Sequence, residues 1–125
     1  MTKIMIVDDS AFTRAKCSRL LGERGYEVVE ASNGLEALEK YQQYRPDAVL
    51  LDIAMPLMDG IVALREIRKI DPAARVVMVT AMGQRAIVLS AVKEGAKGFV
   101  VKPFRDGKVV DTIQRLISSV DLTIY

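Results

Sequence analysis

The chain has 125 residues, of which 50% are hydrophobic, and its 18 lysines and arginines against 16 aspartates and glutamates give a net charge of +2. This length suffices for one continuous hydrophobic core, so we expect a single domain over residues 1–125. The small net charge disfavours direct binding of nucleic acid, and the lack of histidine excludes Ser-His or Cys-His nucleophile pairs and histidine-based zinc sites.

The single cysteine and the hydropathy pattern indicate in which cellular compartment the protein is expected. Cys17 has no partner for an intramolecular disulfide, and its place on an apolar helical stripe predicts a core residue and not a reactive thiol. No charged start with an apolar run marks a signal peptide, and no apolar stretch approaches the roughly 18 residues of a membrane-spanning helix. These features predict a cytoplasmic protein without membrane insertion.

The first predicted strand, Lys3–Asp8, is an apolar run that ends in acid, and Ser10 follows as the N-cap of a helix. Spacings of i, i+4, i+7, i+8 and i+11 predict one mostly apolar stripe on this helix, which we expect to run until Gly25. The stripe consists of Thr13, Cys17, Leu20, Leu21 and Arg24.

The second strand is predicted over Tyr26–Ala31, where the residues favour β structure. Asn33, with Glu36 three residues later, forms an N-cap signature for the second helix, and Pro46 ends that helix. The third strand is predicted over Asp47–Asp52 and again ends in acid. A loop and a third helix follow it, and Asp71-Pro72 closes that helix.

The fourth strand is predicted over Arg75–Thr80, and the helix after it ends at Gly95. The apolar face of that helix consists of Ile87, Val88, Ala91 and Val92. The fifth strand, Gly98–Val101, is short, and the last helix follows Lys102-Pro103 with the clearest amphipathic spacing in the chain. Its apolar positions are Val109, Val110, Ile113, Leu116, Ile117 and Val120.

Five strands that alternate with five helices predict an α/β domain with a mainly parallel sheet, because consecutive parallel strands need crossover connections. The first, third, fourth and fifth strands lack polar and apolar alternation. That pattern predicts that helices cover both of their faces.

Polar side chains stand where four of these strands end. Asp8 and Asp9 end the first strand, Asp52 the third and Thr80 the fourth, while the fifth leads into Lys102. Ligands bind at this carboxyl edge of an open parallel sheet. Close carboxylates repel one another by about 4 kcal/mol per pair at an effective dielectric of 20, so a cation is expected among them.

A magnesium ion fits this arrangement, because it prefers oxygen ligands and is held by one or two carboxylates together with phosphate oxygens. Lys102 can place a positive charge on a phosphoryl oxygen, and the Thr80 hydroxyl can donate a hydrogen bond to another. A carboxylate beside them can attack phosphorus. The residues alone leave open which aspartate is the nucleophile, although Asp8 and Asp9 form a natural metal clamp and leave Asp52 as the acceptor.

Four motifs together resemble the response-regulator receiver family, over the chain from Lys3 to about Val120. They are VDDS at 7–10, LLDIAMP at 50–56, VTA at 79–81 and VKPF at 101–104. The segment at 81–104 is most similar to stand-alone chemotaxis receivers of the CheY type. The resemblance implies a flavodoxin-like (βα)5 fold, doubly wound, with a parallel sheet of strand order 2-1-3-4-5.

For the site, the resemblance implies that Asp52 is the phosphoacceptor, with Thr80 and Lys102 in contact with the phosphoryl group. It also implies that Mg²⁺ is bound at Asp8 and Asp9 together with Asp52 and the backbone carbonyl of Ala54, and that the Lys102-Pro103 peptide is cis. The family's switch aromatic corresponds to Phe99, which is expected to rotate inward when Thr80 moves towards the phosphoryl group. The predicted output surface is the fourth helix, fifth strand and fifth helix, around Arg85, Val88, Lys97, Phe99 and Val109.

The resemblance further implies a sensor histidine kinase as phosphoryl donor and a downstream protein, such as a flagellar motor switch component, as partner of a monomeric switch in chemotaxis. Such a receiver is not an enzyme for an external substrate, although it catalyses its own phosphoryl transfer. Ala54 and Met82 are apolar at positions that flank the approach of the hydrolytic water, which predicts slow self-dephosphorylation.

Three alternatives share parts of this pattern. A Mg²⁺-dependent phosphohydrolase with an aspartyl nucleophile usually carries a second acid two residues later, but Asp52 is followed by Ile53 and Ala54. A flavin or nucleotide module needs a glycine-rich phosphate loop, and no such motif occurs. A receiver that forms part of a larger DNA-binding or hybrid regulator would use the same chemistry with another output.

Overall fold

The computed structural model describes residues 1–81 and 85–122, without the side chains of 119–122, and in these ranges five strands alternate with five helices. The elements are β1 (Lys3–Val7), α1 (Ala11–Gly22), β2 (Glu27–Ala31), α2 (Gly34–Tyr44), β3 (Ala48–Asp52), α3 (Gly60–Ile70), β4 (Val76–Ala81), α4 (Arg85–Lys93), β5 (Gly98–Lys102) and α5 (Asp106–Leu122). All strand pairs are parallel and the order is β2-β1-β3-β4-β5. The predicted fold class and strand order are therefore confirmed, and so is the cis Lys102-Pro103 peptide.

The described core consists of two apolar clusters, one on each face of the sheet. Side chains alternate between the faces along a strand, so Ile4 and Ile6 of β1 join one cluster while Met5 and Val7 join the other. Helices α1 and α5 cover the first face, and α2, α3 and α4 cover the second. Burial on both faces explains the continuous apolar runs of β1, β3 and β4.

The first helix is shorter than predicted. Ser10 caps it, since its hydroxyl accepts a hydrogen bond of 3.2 Å from the Thr13 N–H, but the helix ends at Gly22 and not at Gly25. Tight turns close the chain after it, with Gly25 at a φ of +87°. Arg24, which was predicted to lie on the apolar stripe, is therefore exposed and lies beyond the end of the helix.

Cys17 lies on the inner side of α1, where it is fully buried, as predicted. Burial raises the pKa of its thiol to about 11, and the Asp8 carboxylate adds to that effect. A thiol that stays protonated at neutral pH is a poor nucleophile, so Cys17 acts as a core residue.

Three predictions for the last third of the chain are wrong in whole or in part. Helices cover the two faces of the fifth strand only in part: Val100 lies in the cluster beneath α1 and α5, but on the other face Phe99 is half-buried and Val101 is exposed. Val109 is 0% exposed and packs against the core with α5, so it cannot belong to the predicted output surface. On α4, Val92 is largely exposed, and the buried face centres on Ala91.

Leu57, in the β3–α3 loop, has a φ of +69° and a side chain that is 79% exposed. The left-handed conformation costs an L-residue roughly 1–2 kcal/mol, and the described core clusters do not include Leu57, so core packing within them does not compensate for that cost. We expect Leu57→Gly to raise the free energy of unfolding by about 0.5–1 kcal/mol after the greater freedom of glycine in the unfolded chain is subtracted. Urea unfolding measures the change, and Leu57→Ala is the control, because it keeps the Cβ and hence the strain. Equal gains in both variants would contradict this explanation.

Among the described residues, no helix is long and apolar enough to span a membrane.

Candidate functional site

Three of the predicted site residues lie on one face of the sheet at its carboxyl edge. Asp8 continues the alternation of Ile4 and Ile6, and Asp52 continues that of Ala48 and Leu50. Lys102 likewise follows Val100 by two positions, and Val100 lies in the cluster beneath α1 and α5. The period of two along each strand thus brings these polar side chains together.

The predicted acid cluster is present. Carboxylate oxygens of Asp8, Asp9 and Asp52 lie within 4.8 Å of one another. Asp8 is 2% exposed and Asp52 5% exposed, whereas Asp9 is open to solvent. The Ser10 N–H donates a hydrogen bond of 2.8 Å to Asp8 Oδ1, which fixes the orientation of that buried carboxylate.

Lys102 bridges two of these acids. Its Nζ lies 3.0 Å from Asp8 Oδ2 and 3.4 Å from Asp52 Oδ2, although β3 and β4 separate β5 from β1 in the sheet. Burial by itself would lower the pKa of Lys102, but hydrogen bonds and charge attraction from Asp8 and Asp52 outweigh it and raise that pKa. Lys102 therefore remains an ammonium at neutral pH.

Asp52 is the most perturbed carboxylate of the cluster. Burial raises the pKa of Asp52 to about 6, and the negative charge of Asp8 adds to this, while Lys102 and the Ala54 N–H oppose it. Asp52 is thus mainly ionised at neutral pH, and Lys102 offsets only part of the cost of burying its negative charge. A buried anion of this kind favours reaction with, or binding to, an electrophilic or cationic partner.

The loop after Asp52 is held against the site by a close helix approach. The Gly60 N–H donates a hydrogen bond of 2.8 Å to the Ile53 carbonyl, and a Cβ built on Gly60 would lie 2.6 Å from Ile53 Cα and also overlap the Asp52 carbonyl oxygen. Only glycine permits this approach of α3. The sequence analysis did not identify this role of Gly60, because it depends on a contact between β3 and α3.

Thr80 and Phe99 lie on the opposite sheet face from the side chains of Asp8, Asp52 and Lys102. Thr80 is 4% exposed, and its hydroxyl donates a hydrogen bond of 3.3 Å to the Ala81 carbonyl. Phe99 is half-buried and packs against the cluster beneath α2, α3 and α4. It pairs in register with Met78, two residues before Thr80, so the two predicted switch residues are offset neighbours on adjacent strands.

Arg14 also contacts the acidic loop, which the sequence reasoning missed. Its Nη1 donates a hydrogen bond of 2.6 Å to the Asp8 carbonyl, and its Nε lies 3.4 Å from Glu30 Oε1 on β2. A cation close to a helix N-terminus opposes the helix dipole. That unfavourable placement is the one signal in the sequence that indicates a specific role for Arg14.

The donor set fits a hard divalent cation. Three carboxylates supply oxygen atoms within a span that one ion can bridge, and the one ammonium that contacts them in the described ranges compensates only part of their charge. Asp9 is exposed, so water can complete the coordination shell that Mg²⁺ prefers.

Comparisons with known proteins extend over nearly the whole chain. The family model of the response regulator receiver domain matches residues 4–114. The chemotaxis protein CheY of Bacillus subtilis (strain 168) is 49% identical over 117 residues, which are 93% of this chain and 98% of that protein.

Two solved structures show the same fold. The CheX-CheY-BeF3-Mg+2 complex from Borrelia burgdorferi matches with a TM-score of 0.87 at 37% identity, covering 92% of this chain and 88% of that one. NtrX from Brucella abortus matches with a TM-score of 0.92 at 30% identity, covering 98% of this chain but 29% of that longer chain.

Proposed function

Because the chain belongs to the response regulator receiver family, we propose that it is a two-component signalling switch in which Asp52 accepts a phosphoryl group from a sensor histidine kinase. The observation that carries this proposal is the buried Asp52 carboxylate, whose pKa is raised to about 6 between Asp8 and Lys102. Acetyl phosphate with Mg²⁺ tests it, since intact mass should show a single adduct that requires Asp52.

In the proposed reaction, an Asp52 oxygen forms a bond to phosphorus while the bond from phosphorus to the donor's nitrogen breaks. The donor's phosphoimidazole reacts in the form that is protonated on its other ring nitrogen, and it keeps that proton, so the products are an aspartyl phosphate and the donor's neutral imidazole. Asp52 is ionised for attack at neutral pH, since its pKa is about 6. Lys102 Nζ, 3.4 Å from Asp52 Oδ2, is close enough to donate to an oxygen of the transferred group.

The proposed Mg²⁺ ligands are Asp8, Asp9, Asp52 and the backbone carbonyl of Ala54. When bound, the ion would offset negative charge on the phosphoryl oxygens during transfer. The acid cluster supports this proposal, and the Borrelia burgdorferi CheY complex contains Mg²⁺. Asp8 has the lesser solvent access and is held by the Ser10 N–H, whereas the exposed Asp9 has room to act as the more direct ligand.

The proposed conformational response uses Thr80 and Phe99. A phosphoryl group on Asp52 offers the Thr80 hydroxyl a stronger acceptor than the Ala81 carbonyl at 3.3 Å. Movement of Thr80 would vacate space on the sheet face that Phe99 shares, so that Phe99 can rotate inward. The exposed side of α4, β5 and α5, with Arg85, Val88 and Lys97, would change as the output surface.

The high identity to chemotaxis receivers supports a role in chemotaxis, with a flagellar motor switch component as the downstream partner. In this function, residues 1–125 form one receiver unit that acts as a monomer in the cytoplasm. The chain is then a phosphoacceptor that catalyses its own modification, not an enzyme for an external substrate. The longer NtrX chain supports a second candidate, a receiver with the same chemistry within a larger regulator.

We also propose that the aspartyl phosphate hydrolyses slowly. Ala54 is exposed beside Asp52 and carries no side-chain group that could orient a water molecule, while Met82 lies outside the described residues. Ala54→Asn is therefore expected to shorten the lifetime of the phosphorylated protein by roughly 10-fold, which is less than the roughly 100-fold or more of a general acid or base, because an amide can orient a water molecule but does not take up its proton. Loss of label after removal of acetyl phosphate measures the lifetime, with Ala54→Val as the apolar control. An unchanged or longer lifetime in Ala54→Asn would refute the proposal.

A further inference from the structure

We propose that Arg14 is a positioning residue for the metal-binding loop, which it holds in place through the Asp8 backbone and not through its charge. The inference rests on the proposed Mg²⁺ site. Arg14 Nη1 donates a hydrogen bond of 2.6 Å to the Asp8 carbonyl, and its Nε lies 3.4 Å from Glu30 Oε1. One guanidinium therefore connects the acidic loop, the first turns of α1 and the edge strand β2.

The Asp8 carbonyl needs the Arg14 donor because this carbonyl lies just past the end of the β1–β2 ladder. That ladder ends with Val7 opposite Ala31, and the Asp8 N–H still reaches the Ala31 carbonyl at 3.1 Å. Among the described residues, no backbone N–H of the sheet donates to the Asp8 carbonyl, and Asp8 is almost fully buried. A buried carbonyl without a donor is unfavourable, so Arg14 determines how the Asp8–Asp9 peptide is oriented.

The orientation of that peptide sets where both carboxylates stand. The Asp8 side chain is fixed at one oxygen by the Ser10 N–H at 2.8 Å, and Arg14 fixes the adjacent backbone. The Arg14 N–H also donates to the Ser10 carbonyl at 3.0 Å, so the same residue joins both ends of the short β1–α1 loop. Groups that orient metal ligands in this way typically affect metal affinity by 10- to 100-fold.

The positive charge of Arg14 and its hydrogen bond to the Asp8 carbonyl predict opposite effects of Arg14→Gln on the affinity for a divalent cation. Removal of a cation beside three carboxylates makes the site more negative, so the charge alone would tighten binding of a divalent cation. Loss of the Asp8 backbone anchor would weaken it. We expect Arg14→Gln to raise the Kd for Mn²⁺ about tenfold. Arg14→Lys, which keeps the charge but loses the planar fork between Asp8 and Glu30, should show an intermediate Kd.

The experiment titrates the unphosphorylated protein with Mn²⁺ and detects free Mn²⁺ by electron paramagnetic resonance, which suits a chain without tryptophan. Arg19→Gln is the matched control, because Arg19 lies on the same helix but pairs with Glu23 on the exposed side at 2.9 Å. Its Kd should equal that of the parent. As a second measurement, saturating Mg²⁺ should restore the rate of acetyl phosphate labelling in Arg14→Gln.

An unchanged or tighter Kd in Arg14→Gln would overturn the inference, and so would equal weakening in Arg19→Gln. If Arg14→Gln does not fold, Arg14→Lys and Glu30→Gln decide the matter: weaker binding in Arg14→Lys supports the inference, and parental affinity in both variants overturns it. A parent protein that binds no Mn²⁺ would refute the proposed metal site itself, a result distinct from a difference between a binding parent and its variants.

Discussion

Asp52→Asn is expected to abolish phosphoryl labelling of the protein. The variant keeps the size and approximate polarity of the side chain but has no carboxylate oxygen to attack phosphorus, while Asp8 and Lys102 remain in place. After incubation with acetyl phosphate and Mg²⁺, intact mass should show one phosphoryl adduct on the parent and none on the variant.

Asp111→Asn is the matched control for this loss, because Asp111 lies exposed on α5, outside the acid cluster, and its change should leave the adduct intact. Lys102→Ala should keep much of the adduct, yet it should uncouple the response of Phe99. An adduct that persists in Asp52→Asn would show that another residue is the acceptor, with Asp8 and Asp9 the next to be tested.

The same Asp52→Asn substitution is expected to stabilise the metal-free protein at pH 7.5. A rise in the pKa of Asp52 from 3.8 to about 6 corresponds to about 3 kcal/mol against the ionised form in the folded state, at about 1.4 kcal/mol per pKa unit. Asp52 is 5% exposed, so solvent screens little of this effect. After allowance for imperfect hydrogen bonding of a buried amide, we expect a gain of about 2 kcal/mol in the free energy of unfolding.

The pH dependence follows from the direction of the shift. Between pH 4 and about 6, the folded parent binds more protons at Asp52 than the unfolded chain, so its stability rises as the pH falls through this range. The destabilisation is fully present above a pH of about 6 and is lost towards pH 4. The advantage of Asp52→Asn should therefore be largest at pH 7.5 and disappear near pH 4.

Urea unfolding in EDTA at both pH values measures this difference, and Asp111→Asn again serves as the control, with no pH-dependent gain expected. Mg²⁺ should stabilise the parent more than Asp52→Asn, because the ion binds the folded parent through the carboxylate that the variant lacks. Equal free energies of unfolding of parent and variant at pH 7.5 would contradict the conclusion that the ionised Asp52 carboxylate destabilises the folded parent. The parent thus carries a less stable fold in exchange for a reactive anion.

The order and type of the elements were predictable from the chain because they depend on local patterns. Apolar runs predicted the strands to within about one residue, and the Ser10 and Asn33 caps lie where their hydroxyl and amide groups predicted. The end of α1 was not predictable from the sequence. The helix ends at Gly22, and the chain then forms tight turns that include Gly25, so Gly25 belongs to the turns and does not end the helix. The strand order came from the family resemblance, because periodicity does not specify which strands are neighbours.

The identities of the site residues were likewise contained in the sequence by itself, because an acid, a hydroxyl or a lysine at the end of an apolar strand can be recognised locally. Their energetics were decided only by the tertiary structure. Lys102 meets Asp8 across 94 residues of chain, and the pKa of Asp52 depends on how deeply both acids are buried. Arg14 gains its contact with the Asp8 carbonyl only where β2 stops pairing with β1. Charge interactions depend on distance and desolvation, and both exist only once the strands are assembled.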